Sequence, residues 1–216
     1  MASGALYLGS RTKARASCVL VHGRGQSPEE MQSHILAQLN APDVAFVLPR
    51  AVEGAWYAAK AVDPLTPVTR SALTSALDQL EADIAEARAA HPELPMLLAG
   101  FSQGACLSLE YAFAGRSGID GLVAFTGCRV GVVADERPAS LRDGLPVYLT
   151  GSDADPWIPV TAFAEAALEL GQGKARLRTD LFPGRGHEVS DAEIEMMQSV
   201  LADLASGRKV GMAASR

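Results

Sequence analysis

Residues 95–113 read PMLLAGFSQGACLSLEYAF, and two incompatible patterns meet inside them. Met96, Leu97, Leu98 and Ala99 form a continuous apolar run, as a strand covered on both faces requires. Leu107, Leu109, Tyr111 and Phe113 stand among helix formers. The change falls at a polar residue, Ser102, with Gly100 and Gly104 two positions to either side. A strand that turns into a helix within so few residues crowds its own backbone. Small residues at those two positions let the two segments approach. The stretch therefore predicts a strand, a sharp turn carrying a serine, and a helix.

The same alternation extends in both directions. SCVLVHG (17–23), VAFVLPR (44–50), DGLVAFTG (120–127), LPVYLTGS (145–152) and ARLRTDLFP (175–183) read as strands, with ALYLGS (5–10) as an additional edge strand. Between them lie helical patterns. SPEEMQSHILAQLN (27–40) has Ser27 as N-cap, Pro28 at the first position and Glu30 in a capping-box position. RSALTSALDQLEADIAEARAAHP (70–92) is long and ends before a proline. SQGACLSLEYAFAG (102–115) and VTAFAEAALELGQG (160–173) end at glycine. SDAEIEMMQSVLADLASG (190–207) starts at Ser190. Strand and helix in alternation imply a mostly parallel central sheet with crossover helices. No repeat or composition break suggests more than one domain over residues 1–216. The long segment RAVEGAWYAAKAVDPLTPVT (50–69) has no clear element, and such loops are often functional.

Composition excludes several classes. The chain has 216 residues, 48% hydrophobic and 20% charged, with a net charge of −6. That balance suits a sizeable core and argues against nucleic acid or an anionic membrane as partner. The basic tail GRKVGMAASR (207–216) is the exception, read as solvated and flexible. The three cysteines are Cys18, Cys106 and Cys128, with no CxxC pairing. They suggest buried thiols in a reducing, cytoplasmic setting. No signal peptide is read at the N-terminus, and no apolar run approaches the roughly 18 residues of a membrane span. No His/Asp/Glu cluster has metal-ligand spacing, so neither metal nor cofactor is expected.

Gly100-Phe101-Ser102-Gln103-Gly104 is a G-x-S-x-G motif between a strand and a helix, the setting of a nucleophile elbow. A serine nucleophile needs a base. Of the four histidines, His34 lies within a helix and His91 closes the long one. His22 ends a strand upstream of the serine. His187, in FPGRGHEVS (182–190), follows the final strand, where an α/β-hydrolase order places the base. The orienting carboxylate belongs between Ser102 and His187 at a strand end. Asp153 and Asp155, in LPVYLTGSDADPWIP, both qualify, and the residues alone do not separate them. The oxyanion requires N–H donors. The backbone of Gln103 supplies one, and the glycine-flanked Arg24 of VHGRG the other. Cys106, about one helical turn after Ser102, reads as a packing thiol.

Together LVHGRG, GFSQGACLSLE, GSDADPWIP and PGRGHEVS resemble the phospholipase/carboxylesterase family of small α/β-hydrolases, which includes acyl-protein thioesterases and bacterial carboxylesterases. The resemblance runs from about Cys18 to about Leu204. It implies an α/β-hydrolase fold without a large lid domain, a monomer or homodimer, and an acid directly before the proline, which favours Asp155. It implies a carboxylesterase acting on a small acyl ester through Ser102, His187 and Asp155. The alternatives are an acyl-thioesterase or lysophospholipase on the same residues, and a non-catalytic binding scaffold. A CoA thioester would favour a basic patch, for which Arg24, Arg50 and Arg185 are candidates scattered in sequence. Trp56 and Tyr57 resemble an aromatic pair that some members carry before the long helix. With Trp157 they are expected to border the substrate pocket.

Overall fold

A computed structural model describes residues 4–9 and 12–212 of the chain. The strands are β1 (Leu6–Leu8), β2 (Ala16–Val21), β3 (Val44–Leu48), β4 (Met96–Phe101), β5 (Gly121–Phe125), β6 (Pro146–Gly151) and β7 (Arg176–Leu181). They form one seven-stranded sheet in the order β1-β3-β2-β4-β5-β6-β7. Every neighbouring pair is parallel except β1, which runs antiparallel to β3 at the edge. The helices are α1 (Pro28–His34), α2 (Pro67–Ala90), α3 (Gln103–Phe113), α4 (Val160–Gln172) and α5 (Asp191–Ala205).

Both faces of the sheet are covered, which explains the unbroken apolar runs. Val19, Val21, Met96 and Leu98 join a core with Leu80 of α2, Leu107 of α3 and Phe163 of α4. Their sequence neighbours Cys18, Leu20, Leu97 and Ala99 face the other way, into a core with Met31 of α1 and Met197 of α5. Successive strand residues point to opposite faces, so a strand lined by helices on both must be apolar at every position. β7 is the far edge strand and is only partly buried, so it tolerates Arg176, Arg178 and Asp180.

Three expectations about element ends are revised. α1 stops at His34 and passes into a short 3-10 turn at Leu36–Gln38. α2 begins a turn before Arg70, because the Thr66 hydroxyl accepts from the Thr69 N–H at 3.1 Å and Pro67 fits the first helical position. The tail also differs, since it returns to the body as far as it is described. Val210 is buried, its carbonyl accepts from Arg176 at 2.7 Å, and Asp203 accepts from the Gly211 N–H at 2.8 Å. Residues 213–216 lie outside the described residues. No helix among the described residues is long and apolar enough to cross a membrane.

Candidate active site

Ser102 sits between β4 and α3 with φ 55° and ψ −119°, a backbone region costly for any residue with a Cβ. Its neighbours hold it there. The Ser102 N–H donates to Phe125 O at the end of β5, and Ser102 O accepts from Cys106 N, both at 3.0 Å. The two flanking glycines have a measurable reason. A Cβ on Gly100 would stand 2.4 Å from Gly104 O, and one on Gly104 would stand 2.2 Å from Val21 O. The first turn of α3 thus rests directly on the ends of β4 and β2.

His187 and Asp155 reach the serine from the loops after β7 and β6. His187 Nε2 lies 2.7 Å from Ser102 Oγ, and His187 Nδ1 lies 2.7 Å from Asp155 Oδ2. The Asp155 carboxylate is buried, and its other oxygen accepts from the N–H groups of Trp157 at 2.8 Å and Ile158 at 3.0 Å. Asp153 points elsewhere and accepts from the Gly184 N–H at 2.7 Å. It ties the histidine loop to the loop after β6. The Phe101 ring packs against the imidazole, with centroids 5.1 Å apart.

Sequence reasoning missed a second anchor of that loop. Arg185, weighed above as part of a basic patch, turns inward and pairs with Glu193 of α5. Glu193 also accepts from the Ser190 N–H at 2.7 Å. The capping pattern S-x-x-E at 190–193 was the available signal. Arg50 pairs with Glu29 on the surface. Of the three arginines considered, Arg24 alone lines the cleft at Ser102.

The side chains of Arg24 and Gln103 fasten the segment that borders the cleft. The Gln103 N–H opens α3, where no helical acceptor exists. Its side chain accepts from the Trp56 N–H at 3.0 Å and donates to Tyr57 O at 2.7 Å. The Arg24 guanidinium donates to Ala58 O at 2.8 Å and also to Ala59 O. The segment read as a long loop without a clear element is therefore a pinned strap. His22 is its third fastening. Its Nδ1 meets Gly23 O at 2.7 Å, and its Nε2 accepts from the Ala51 N–H at 3.0 Å. Burial lowers the His22 pKa below its ordinary value, and this bonding pattern suits the neutral ring.

The cleft above Ser102 has a volume of about 430 Å³, within the usual range for small-molecule sites. Tyr57 and Trp157 line it, as does Cys106. Trp56 does not, contrary to expectation. It is 6% exposed, tilted against the His22 ring, and donates its indole N–H to His22 O at 2.8 Å. An aromatic with a polar edge finds both apolar contact and an acceptor beneath the strap. Cys106 Sγ lies 3.8 Å from Cys128 Sγ. That contact and burial keep the Cys128 thiol well above its ordinary pKa. Among the described residues no group of three His, Cys, Asp or Glu side chains is placed to hold a metal ion.

This sheet order, with helices on both faces and a serine raised at the end of the central strand, defines an α/β-hydrolase fold without a large lid domain. The chain belongs to the phospholipase/carboxylesterase family, which it matches over residues 8–205. Solved structures agree. A phospholipase/carboxylesterase from Dyadobacter fermentans is 28% identical, with 93% of this chain and 97% of that one covered and a TM-score of 0.81. Esterase PE8 is 24% identical, covering 94% and 99% with a TM-score of 0.78. Acyl-protein thioesterase 2 of Zea mays is 17% identical, covering 94% and 99% with a TM-score of 0.74, and shares the fold. A search of curated proteins finds no match. The chain is thus an α/β-hydrolase of the phospholipase/carboxylesterase type.

Proposed function

We propose that this hydrolase cleaves carboxylic esters with Ser102 as nucleophile, His187 as general base and acid, and Asp155 as the residue that orients the imidazole. The observation that carries this reading is the unbroken relay from Ser102 Oγ through His187 to Asp155, with 2.7 Å at each step. Asp155 accepts a hydrogen bond from Nδ1–H and so fixes the tautomer, which leaves the Nε2 lone pair free to take the serine proton as Oγ attacks the acyl carbon. The N–H groups of Gln103 and Arg24 stabilise the developing oxyanion, helped by the N-terminus of α3. His187 then protonates the leaving alcohol. Water, activated by the same imidazole, attacks the acyl-enzyme and frees Ser102.

The cleft volume supports a small acyl ester as substrate, with Tyr57 and Trp157 as its apolar walls. The buried free thiols of Cys18, Cys106 and Cys128 support a reducing, cytoplasmic setting. The test is labelling with an alkyl fluorophosphonate followed by peptide mass spectrometry. The adduct is expected on Ser102 alone and absent from Ser102→Ala. A labelled wild type with its adduct elsewhere, or an esterase-active Ser102→Ala, refutes the reading. Matched oxoester and thioester substrates then decide between esterase and thioesterase.

A further inference from the structure

The chain carries a net charge of −6, yet the cleft at Ser102 is lined by two cations, Arg24 and Lys60, and by no carboxylate. Asp155 is the nearby acid, and its carboxylate is sealed from solvent behind His187. Among the described residues neither cation lies within ion-pair distance of an acid. Arg24 donates to the neutral carbonyls of Ala58 and Ala59. Asp63 accepts from the backbone N–H of Lys60 at 3.0 Å, and its carboxylate makes no ion pair with the ammonium. Several arginines elsewhere in the fold are neutralised: Arg116 by Asp78 and Glu81, Arg129 by Glu110 and Glu169, Arg185 by Glu193. Two uncompensated positive charges at the mouth of one cleft in an acidic protein form a local field that attracts an anion.

The cations are also carried on fixed backbone. The strap from Ala51 to Ala61 is held to His22, to the Gln103 side chain, to Arg24, and by Ala61 O to the Gly131 N–H at 2.7 Å. Lys60 stands directly on that strap, and Arg24 clamps it from the facing loop. The backbone that carries Lys60 and the Arg24 guanidinium are therefore fixed before substrate arrives, which removes part of the ordering cost of binding.

From this we infer that the ester cleaved at Ser102 bears a second, negatively charged group, a carboxylate or a phosphate, held at the cleft mouth by Lys60 and Arg24. This rests on the serine esterase reading above and names the substrate class within it. Hydrolysis would release an acid and an alcohol, one of which keeps the extra charge, so the supplying reaction must acylate an acidic alcohol or esterify one end of a diacid.

The test compares kcat/KM for two matched pairs. Mono-para-nitrophenyl adipate against para-nitrophenyl hexanoate places the charge on the acyl side. Meta-carboxyphenyl butyrate against meta-carbamoylphenyl butyrate places it on the alcohol side. The anionic member of at least one pair should be preferred by about tenfold at low ionic strength. The preference should shrink towards parity at 1 M salt, where the screening length falls to about 3 Å. Lys60→Gln should reduce the ratio of anionic to neutral turnover several-fold, and Lys60→Arg should restore it. Phosphate analogues of the preferred pair identify which anion is favoured. Hydrolysis of neutral esters with no anionic preference in either pair overturns this inference and leaves the esterase reading intact. A preference that Lys60→Gln leaves unaltered also overturns it. No hydrolysis of any ester removes both.

Discussion

Asp155→Asn is the substitution whose consequence follows most directly from the hydrogen bonds. One Asp155 oxygen receives the Trp157 and Ile158 N–H groups at 2.8 and 3.0 Å, and the other meets His187 Nδ1 at 2.7 Å. An asparagine has one oxygen and one NH2. The two backbone donors select the oxygen, which leaves the NH2 facing Nδ1. The imidazole must then accept at Nδ1 and carry its proton on Nε2, where it cannot deprotonate Ser102. Reversing the amide would face its NH2 to two backbone donors, at roughly 1–3 kcal/mol for each buried group left unsatisfied. The inactive tautomer is therefore strongly favoured. A loss of about 10⁴ in kcat/KM is expected, the size known for such a tautomer trap, equal to about 5.4 kcal/mol of transition-state stabilisation. The assay is hydrolysis of para-nitrophenyl butyrate at pH 7.5, with thermal unfolding to show that the variant folds. Asp153→Asn is the control. Its amide oxygen still accepts from the Gly184 N–H, so only a few-fold loss is expected. An Asp155→Asn enzyme within tenfold of wild type, or an Asp153→Asn enzyme that loses more, would refute the tautomer argument.

Trp56→Ala should act on stability, by about 3–5 kcal/mol for a buried aromatic, read from urea unfolding midpoints. A folded variant with unchanged stability and an altered acyl preference would return Trp56 to the pocket wall. Ser102→Gly should abolish turnover yet raise stability by about 1–2 kcal/mol, because glycine relieves the positive φ of the elbow. A lower unfolding midpoint would contradict the strain. For His22 the sign is set by a folded pKa lowered through burial. The unfolded chain binds the proton more readily, so stability should fall as pH drops below about 6.5 towards the folded value. His22→Gln should show a shallower decline over that window than wild type. Parallel declines in chemical denaturation at several pH values would count against the buried neutral ring.

The elbow was legible because the glycines it needs stand two positions to either side of the serine. Gly100 is demanded by Gly104 O within the same turn, whereas Gly104 is demanded by Val21 O of β2, a strand distant in the chain. The unbroken apolar runs likewise follow from a sheet covered on both faces, and His187 from chain order after the last strand. What sequence left open is decided by partners distant in the chain. Asp153 and Asp155 share one loop and one chemistry. They are separated only by which carboxylate meets His187, 32 residues away, and which meets Gly184, 31 residues away. Trp56 and Tyr57 are adjacent aromatics, and the strap turns one inward to His22 O and the other to the cleft. Arg185 and Arg24 read alike as loop cations. One is neutralised by Glu193, and the other lines the cleft at Ser102 with no acid in ion-pair contact. Chain order, apolar periodicity and the small residues of a tight turn leave a pattern in the chain. Burial and hydrogen-bond satisfaction are settled between segments that only the folded molecule brings together.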